Sequence, residues 1–61
     1  MCELKAYLYK EGKEELYLEN VDILRAEGDK IYLKSLFGEE KVFEGRIKEV
    51  NIRKNSVLLE R

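Results

Sequence analysis

Apolar and polar positions alternate along most of this chain, and the alternation resolves into a series of short β-strands. In Cys2-Glu3-Leu4-Lys5-Ala6-Tyr7-Leu8-Tyr9 the even positions are small or aliphatic and the odd ones polar or aromatic, the period of a half-buried strand. Cys2, Leu4, Ala6 and Leu8 therefore share one face. Glu11-Gly12-Lys13 supplies a turn, and Leu16, Tyr17 and Leu18 resume the alternation, so the first two strands form a hairpin. Asn20 breaks the run before Val21-Asp22-Ile23-Leu24-Arg25-Ala26. Gly28-Asp29-Lys30 then turns the chain into Ile31-Tyr32-Leu33-Lys34-Ser35-Leu36, which predicts a second hairpin.

Phe37-Gly38-Glu39-Glu40 marks the next corner, where Leu36 and Phe37 can pack across the bend. Beyond it, Val42, Phe43, Ile47, Val50 and Ile52 predict one long strand region whose phase slips between Ile47 and Val50. That slip, following Gly45, predicts a β-bulge that bends the strand. Phe43, Ile47 and Val50 also stand at helical spacing, but Gly45 and the β-branched residues oppose a helix. Lys54-Asn55-Ser56 turns into the closing Val57-Leu58-Leu59. About six short strands predict an all-β fold, either a strongly bent sheet or a small SH3-like barrel, in a single domain over residues 1–61.

Size adds a constraint. A lone hydrophobic core in 61 residues supplies only about 3–5 kcal/mol, and reinforcement is usual at this length. One cysteine cannot form an internal disulfide, and there is no histidine for a zinc site, so a homodimer is expected. The hydrophobic fraction of 44% is enough for a core, and the 41% of charged residues, with signs finely mixed, read as a solvated surface rather than disorder. Twelve basic against thirteen acidic residues leave a net charge of -1, which provides no general attraction for phosphate backbones or anionic membranes. No stretch approaches the roughly 20 apolar residues of a membrane span, and the basic and apolar regions of a signal peptide are missing. A cytoplasmic protein is expected, where a free thiol stays reduced.

Catalysis has little to stand on, because no histidine can serve Cys2, Ser35 or Ser56 as a general base. Glu14-Glu15 and Glu39-Glu40 sit beside turns and read as solvated loops. Gly38 and Gly45 make no phosphate-binding pattern. A non-enzymatic protein is expected. Tyr7, Tyr9 and Tyr17 fall opposite the aliphatic face, and Tyr32 does so in its own strand. With Lys5, Lys10, Arg25 and Lys34 they fit a stacking platform for single-stranded RNA, and they fit a subunit interface better at this net charge.

Cys2 is the distinctive group. Removal of Met1 would leave a free amine beside its thiol, and the two can close a five-membered chelate ring on one metal ion. Their ordinary pKa values, about 8.5 and 7.7–8.0, let a metal displace both protons near neutral pH. One such terminus makes a weak site. Two, brought together by a dimer axis near the first strand, offer two sulfurs and two nitrogens, a set that suits square-planar Ni(II) or Cu(II). On the residues alone, a small buried residue at the start of a strand is the simpler account of Cys2.

A resemblance bears on that choice. The opening Met1-Cys2, Glu27-Gly28-Asp29-Lys30-Ile31, Leu36-Phe37-Gly38-Glu39-Glu40 and Glu44-Gly45-Arg46-Ile47-Lys48-Glu49-Val50, with a hydrophobic last strand, resemble the CooT-like nickel-binding proteins. These short chains were earlier described as predicted RNA-binding proteins. The resemblance implies a small SH3-like or Sm-like barrel, a homodimer, and Ni(II) bound through Cys2. It also implies a metallochaperone-like role supplying nickel to carbon monoxide dehydrogenase. Where relatives often carry a histidine ahead of the last strand, this chain has Lys54-Asn55-Ser56, so the implied site rests on Cys2.

Overall fold

A computed structural model describes residues 4–61, and Cys2 lies outside the described residues. Six strands follow one another: β1 (Leu4–Lys10), β2 (Lys13–Glu27), β3 (Lys30–Ser35), β4 (Glu40–Glu44), β5 (Arg46–Asn51) and β6 (Ser56–Glu60). They form one sheet in the order β4-β3-β2-β1-β6-β5, antiparallel throughout except where β1 and β6 run parallel. The all-β expectation with six strands holds. The sheet is the bent form and not a closed barrel, since β4 and β5 are its two edges.

The bend is concentrated in β2, which is 15 residues long and pairs with β1 along its first half and with β3 along its second. Three register shifts interrupt these ladders, between Leu4 and Ala6, between Ala6 and Tyr7, and between Val21 and Ile23. At each one β2 supplies the extra residue: Leu4 and Ala6 face Val21 and Leu18, Ala6 and Tyr7 face Leu18 and Leu16, and Val21 and Ile23 face Ser35 and Lys34. Bulges of this kind sharpen twist and bend. Asn20 sits among them with a φ of 56°, a left-handed conformation that asparagine tolerates better than most side chains. Asn20 therefore bends one strand rather than separating two, which corrects the expectation of a break there.

The bulges reset which residues face inward. Leu18, Val21 and the half-buried Leu24 all reach the core although they lie three apart. Tyr17, next to Leu18, is also inward: it packs against the core and meets Phe43 edge-on, with ring centroids 5.8 Å apart. It does not share the outer face expected for it. The core itself is Ala6, Leu18, Val21, Ile31, Leu33, Phe43, Val57 and Leu59, with Leu4 and Leu8 packed against it from β1 as the alternation predicts.

The long strand predicted over Val42 to Ile52 is two strands on opposite edges of the sheet, divided at Gly45. Gly45 donates its N–H to the Asp29 carbonyl at 2.7 Å. A Cβ at this position would be driven into the Glu60 carbonyl oxygen and the edge of the Phe43 ring, so the residue is required by space and not by its backbone angles. The predicted phase slip is present further on, as a register shift between Ile47 and Glu49 against β6. Glu60 holds this pair of strands from the side through Arg46 at 3.2 Å and Lys48 at 3.7 Å.

Both edges carry features that discourage pairing with other chains. The bulge interrupts β5. On β4, Lys41 is opposite the inward Leu33, and its ammonium donates to the Tyr17 carbonyl at 2.9 Å while lying 4.5 Å from the Tyr17 ring centre.

The β3–β4 corner is organised by the buried Ser35. Its Oγ accepts from the N–H of Phe37 at 3.2 Å and of Glu39 at 3.1 Å, while its carbonyl accepts from Gly38. Leu36 donates back to the Asn20 carbonyl at 2.7 Å, which ties the corner to the bend of β2.

Two substitutions test this description by denaturant unfolding. Gly45→Ala is expected to destabilise the domain by about 1–3 kcal/mol, the usual cost of forcing an extra group into a filled space. Ser35→Ala leaves two backbone donors without their acceptor and should cost about 1–3 kcal/mol. Unchanged midpoints would refute both assignments.

Candidate functional site

The ladders bring several elements to one end of the sheet. Leu4, the first residue of β1, is opposite Val21 in the middle of β2, and Val21 is opposite Ser35, the last residue of β3. Lys34 pairs with Glu40, the first residue of β4. On the other side Lys5 pairs with Ser56 at the start of β6, and Ser56 with Asn51 at the end of β5. The β3–β4 corner and the β5–β6 turn therefore flank the start of β1. Lys5 also donates to the Asn55 carbonyl at 3.0 Å, fastening that turn to the first strand.

Four apolar side chains stand exposed at this end: Phe37 at 80% and Leu36 at 59% on the corner, Ile52 at 83% and Val50 at 57% at the turn. Leu36 and Phe37 were expected to pack across their corner. Instead the Ser35 hydrogen bonds hold the backbone tightly while the side chains project into solvent. Sequence pattern missed this because a Leu-Phe pair between strands reads as core, and only the side-chain network of Ser35 makes a stable corner without it.

The charged residues at this end are divided by sign. Glu39 and Glu40 follow Phe37, whereas Arg53 and Lys54 follow Ile52. All four are exposed. Glu39 has Lys41 at 3.8 Å, and among the described residues Glu40, Arg53 and Lys54 are in no ion pair. Cys2, the residue singled out for metal binding, precedes β1 and is outside the described residues. Among the described residues no three carboxylate or thiol side chains gather into a metal-binding group.

The tyrosines do not assemble into one platform. Tyr17 is turned to the core. Tyr9 has the Lys48 ammonium 4.7 Å from its ring centre, and Tyr32 has the Arg25 guanidinium at 5.4 Å, so a face of each is already occupied by a cation. Tyr7 lies in a shallow outer groove of about 390 Å³, beside Leu58, Lys5 and Lys54. Glu14 and Glu49 line the same groove, so its cations are matched by carboxylates. This is not the excess positive charge that a nucleic-acid backbone requires.

Comparison with known proteins agrees with the fold and the motifs. The chain is 38% identical to a crystal structure from Carboxydothermus hydrogenoformans assigned to CooT, with a TM-score of 0.87 over 98% of this chain and 97% of the other. It is 35% identical to an uncharacterized protein of Methanocaldococcus jannaschii, over 98% of each chain. The family model for the CO dehydrogenase accessory protein CooT matches residues 1–60. The chain thus belongs to the CooT family of CO dehydrogenase accessory proteins, and its part is that of an accessory protein rather than a catalyst.

Proposed function

We propose that this protein binds Ni(II) through Cys2 in a homodimer and serves as a metallochaperone-like accessory to a nickel enzyme such as carbon monoxide dehydrogenase. Family membership supports the accessory role, and the family's description as a CO dehydrogenase accessory protein favours that enzyme as the partner. What supports the rest is the thiol of Cys2, which falls inside the stretch matched by the family model, residues 1–60.

The donor set favours nickel over zinc. A thiolate and a terminal amine from one chain form half of a square plane, and a second copy completes it. Zinc prefers four ligands arranged tetrahedrally, most often cysteine and histidine, and the chain has no histidine. Both donors lose a proton on binding, so affinity rises with pH through the range in which thiol and amine titrate.

Cys2→Ser is expected to abolish tight nickel binding in calorimetry while circular dichroism and thermal unfolding stay as in the parent protein. A variant that keeps its nickel affinity would disprove the assignment. Extending the chain ahead of Met1 turns the cysteine amine into an amide and should weaken nickel binding sharply with the thiol intact. Equal affinity with and without the extension would remove the amine from the site.

A further inference from the structure

The sheet is open, and β4 forms one of its edges: among the described residues it pairs with β3 alone. One side of its backbone is bound to β3, and the other faces away from the sheet. Phe43 is buried and Lys41 half-buried on the inner face, so Glu40, Val42 and Glu44 share the outer face, and all three are exposed. Beside Val42 a shallow depression of about 240 Å³ continues across the sheet over Tyr32, Arg25 and Ile23.

The strand that β4 already pairs with shows what this row of side chains accepts. β3 sets Lys34 opposite Glu40, Tyr32 opposite Val42 and Lys30 opposite Glu44. A base, an aromatic ring and a base thus stand against an acid, an aliphatic group and an acid. Among the described residues Glu40 and Glu44 close no ion pair, so both carboxylates can meet cations on the free side.

We infer that the free edge of β4 is a docking site for an extended segment of another protein, one with a basic, an aromatic and a basic residue at alternate positions. The segment adds a strand to the sheet, its main chain bonding to the backbone of β4 and its alternate side chains lying beside Glu40, Val42 and Glu44. The triplet is symmetric about Val42, so the charges match whether the segment runs parallel or antiparallel to β4.

A second copy of this edge does not fit. Two β4 strands paired antiparallel about Val42 set Glu40 of each against Glu44 of the other, and like charges directly opposite are destabilising. The half-buried Lys41, tied to the Tyr17 carbonyl, deters a strand with an apolar residue at the inner position beside it. These charges exclude indiscriminate pairing, and they select a basic segment with polar inner residues. An acidic segment is repelled by the same two carboxylates.

Docking at β4 requires neither nickel nor Cys2, so its test uses untagged protein in chelator. Isotope-labelled protein at low salt is titrated with the capped peptide Thr-Lys-Thr-Tyr-Thr-Lys-Thr and followed by amide NMR shifts and hydrogen exchange. Shifts are expected to centre on β4, and exchange of its amides to slow. Glutamate in place of both peptide lysines is expected to weaken binding about tenfold or more. Methylating the peptide's backbone nitrogens should abolish binding, because a methylated nitrogen cannot donate. In Glu40→Lys with Glu44→Lys the preference should reverse, the acidic peptide binding more tightly than the basic one. Absence of binding, shifts centred elsewhere, equal affinity of the two peptides or undiminished binding of the methylated one would overturn the assignment. The charge swap in the peptide decides the matter even where the double variant fails to fold.

Discussion

Everything in this fold depends on bending one long strand without breaking it. β2 must pair with β1 and then with β3 while the sheet turns back on itself, and an unbroken ladder would resist that change of direction. Three extra residues on β2 and a left-handed Asn20 relieve the conflict. The bend lets Leu18 and Val21 meet Ile31, Leu33, Phe43, Val57 and Leu59 in a core that a flat six-stranded sheet could not enclose. It also sets the exposed end, because Asn20 accepts the hydrogen bond that anchors the Leu36 corner.

The same device explains which parts of the fold were legible in the sequence. Strands that keep strict alternation, such as the stretch through Leu4, Ala6 and Leu8, could be assigned with their inward faces, and so could the turns around Gly12 and Gly28. The phase slip near Ile47 was visible as a bulge because Ile47 and Val50 stand an odd number of residues apart. β2 was not legible as one strand, since each bulge shifts the inward set and the resulting spacing of Leu18, Val21 and Leu24 matches no simple period. Tyr17 was placed on the wrong face for that reason. The split of the predicted long strand at Gly45 could not be read either, because it depends on pairing partners distant in sequence, with β4 beside β3 and β5 beside β6.

The candidate site was legible in a different way. Cys2 stood out by chemistry and by the family motif, not by periodicity, and family membership is now shown along nearly the whole chain. What the sequence could not reveal was that the Leu36-Phe37 motif is offered to solvent, since that outcome rests on the buried Ser35 satisfying the corner from within. Those side chains, with Val50 and Ile52, surround the start of the strand that Cys2 precedes.

The central claim is that one nickel ion is held by two copies of Cys2. Native mass spectrometry of untagged protein titrated with Ni(II) addresses it directly, since the mass reports the number of chains, the number of metal ions and the fate of Met1 together. The account predicts one nickel per two chains, each chain beginning at Cys2. One nickel per chain, or nickel bound equally well by chains that retain Met1, would contradict it.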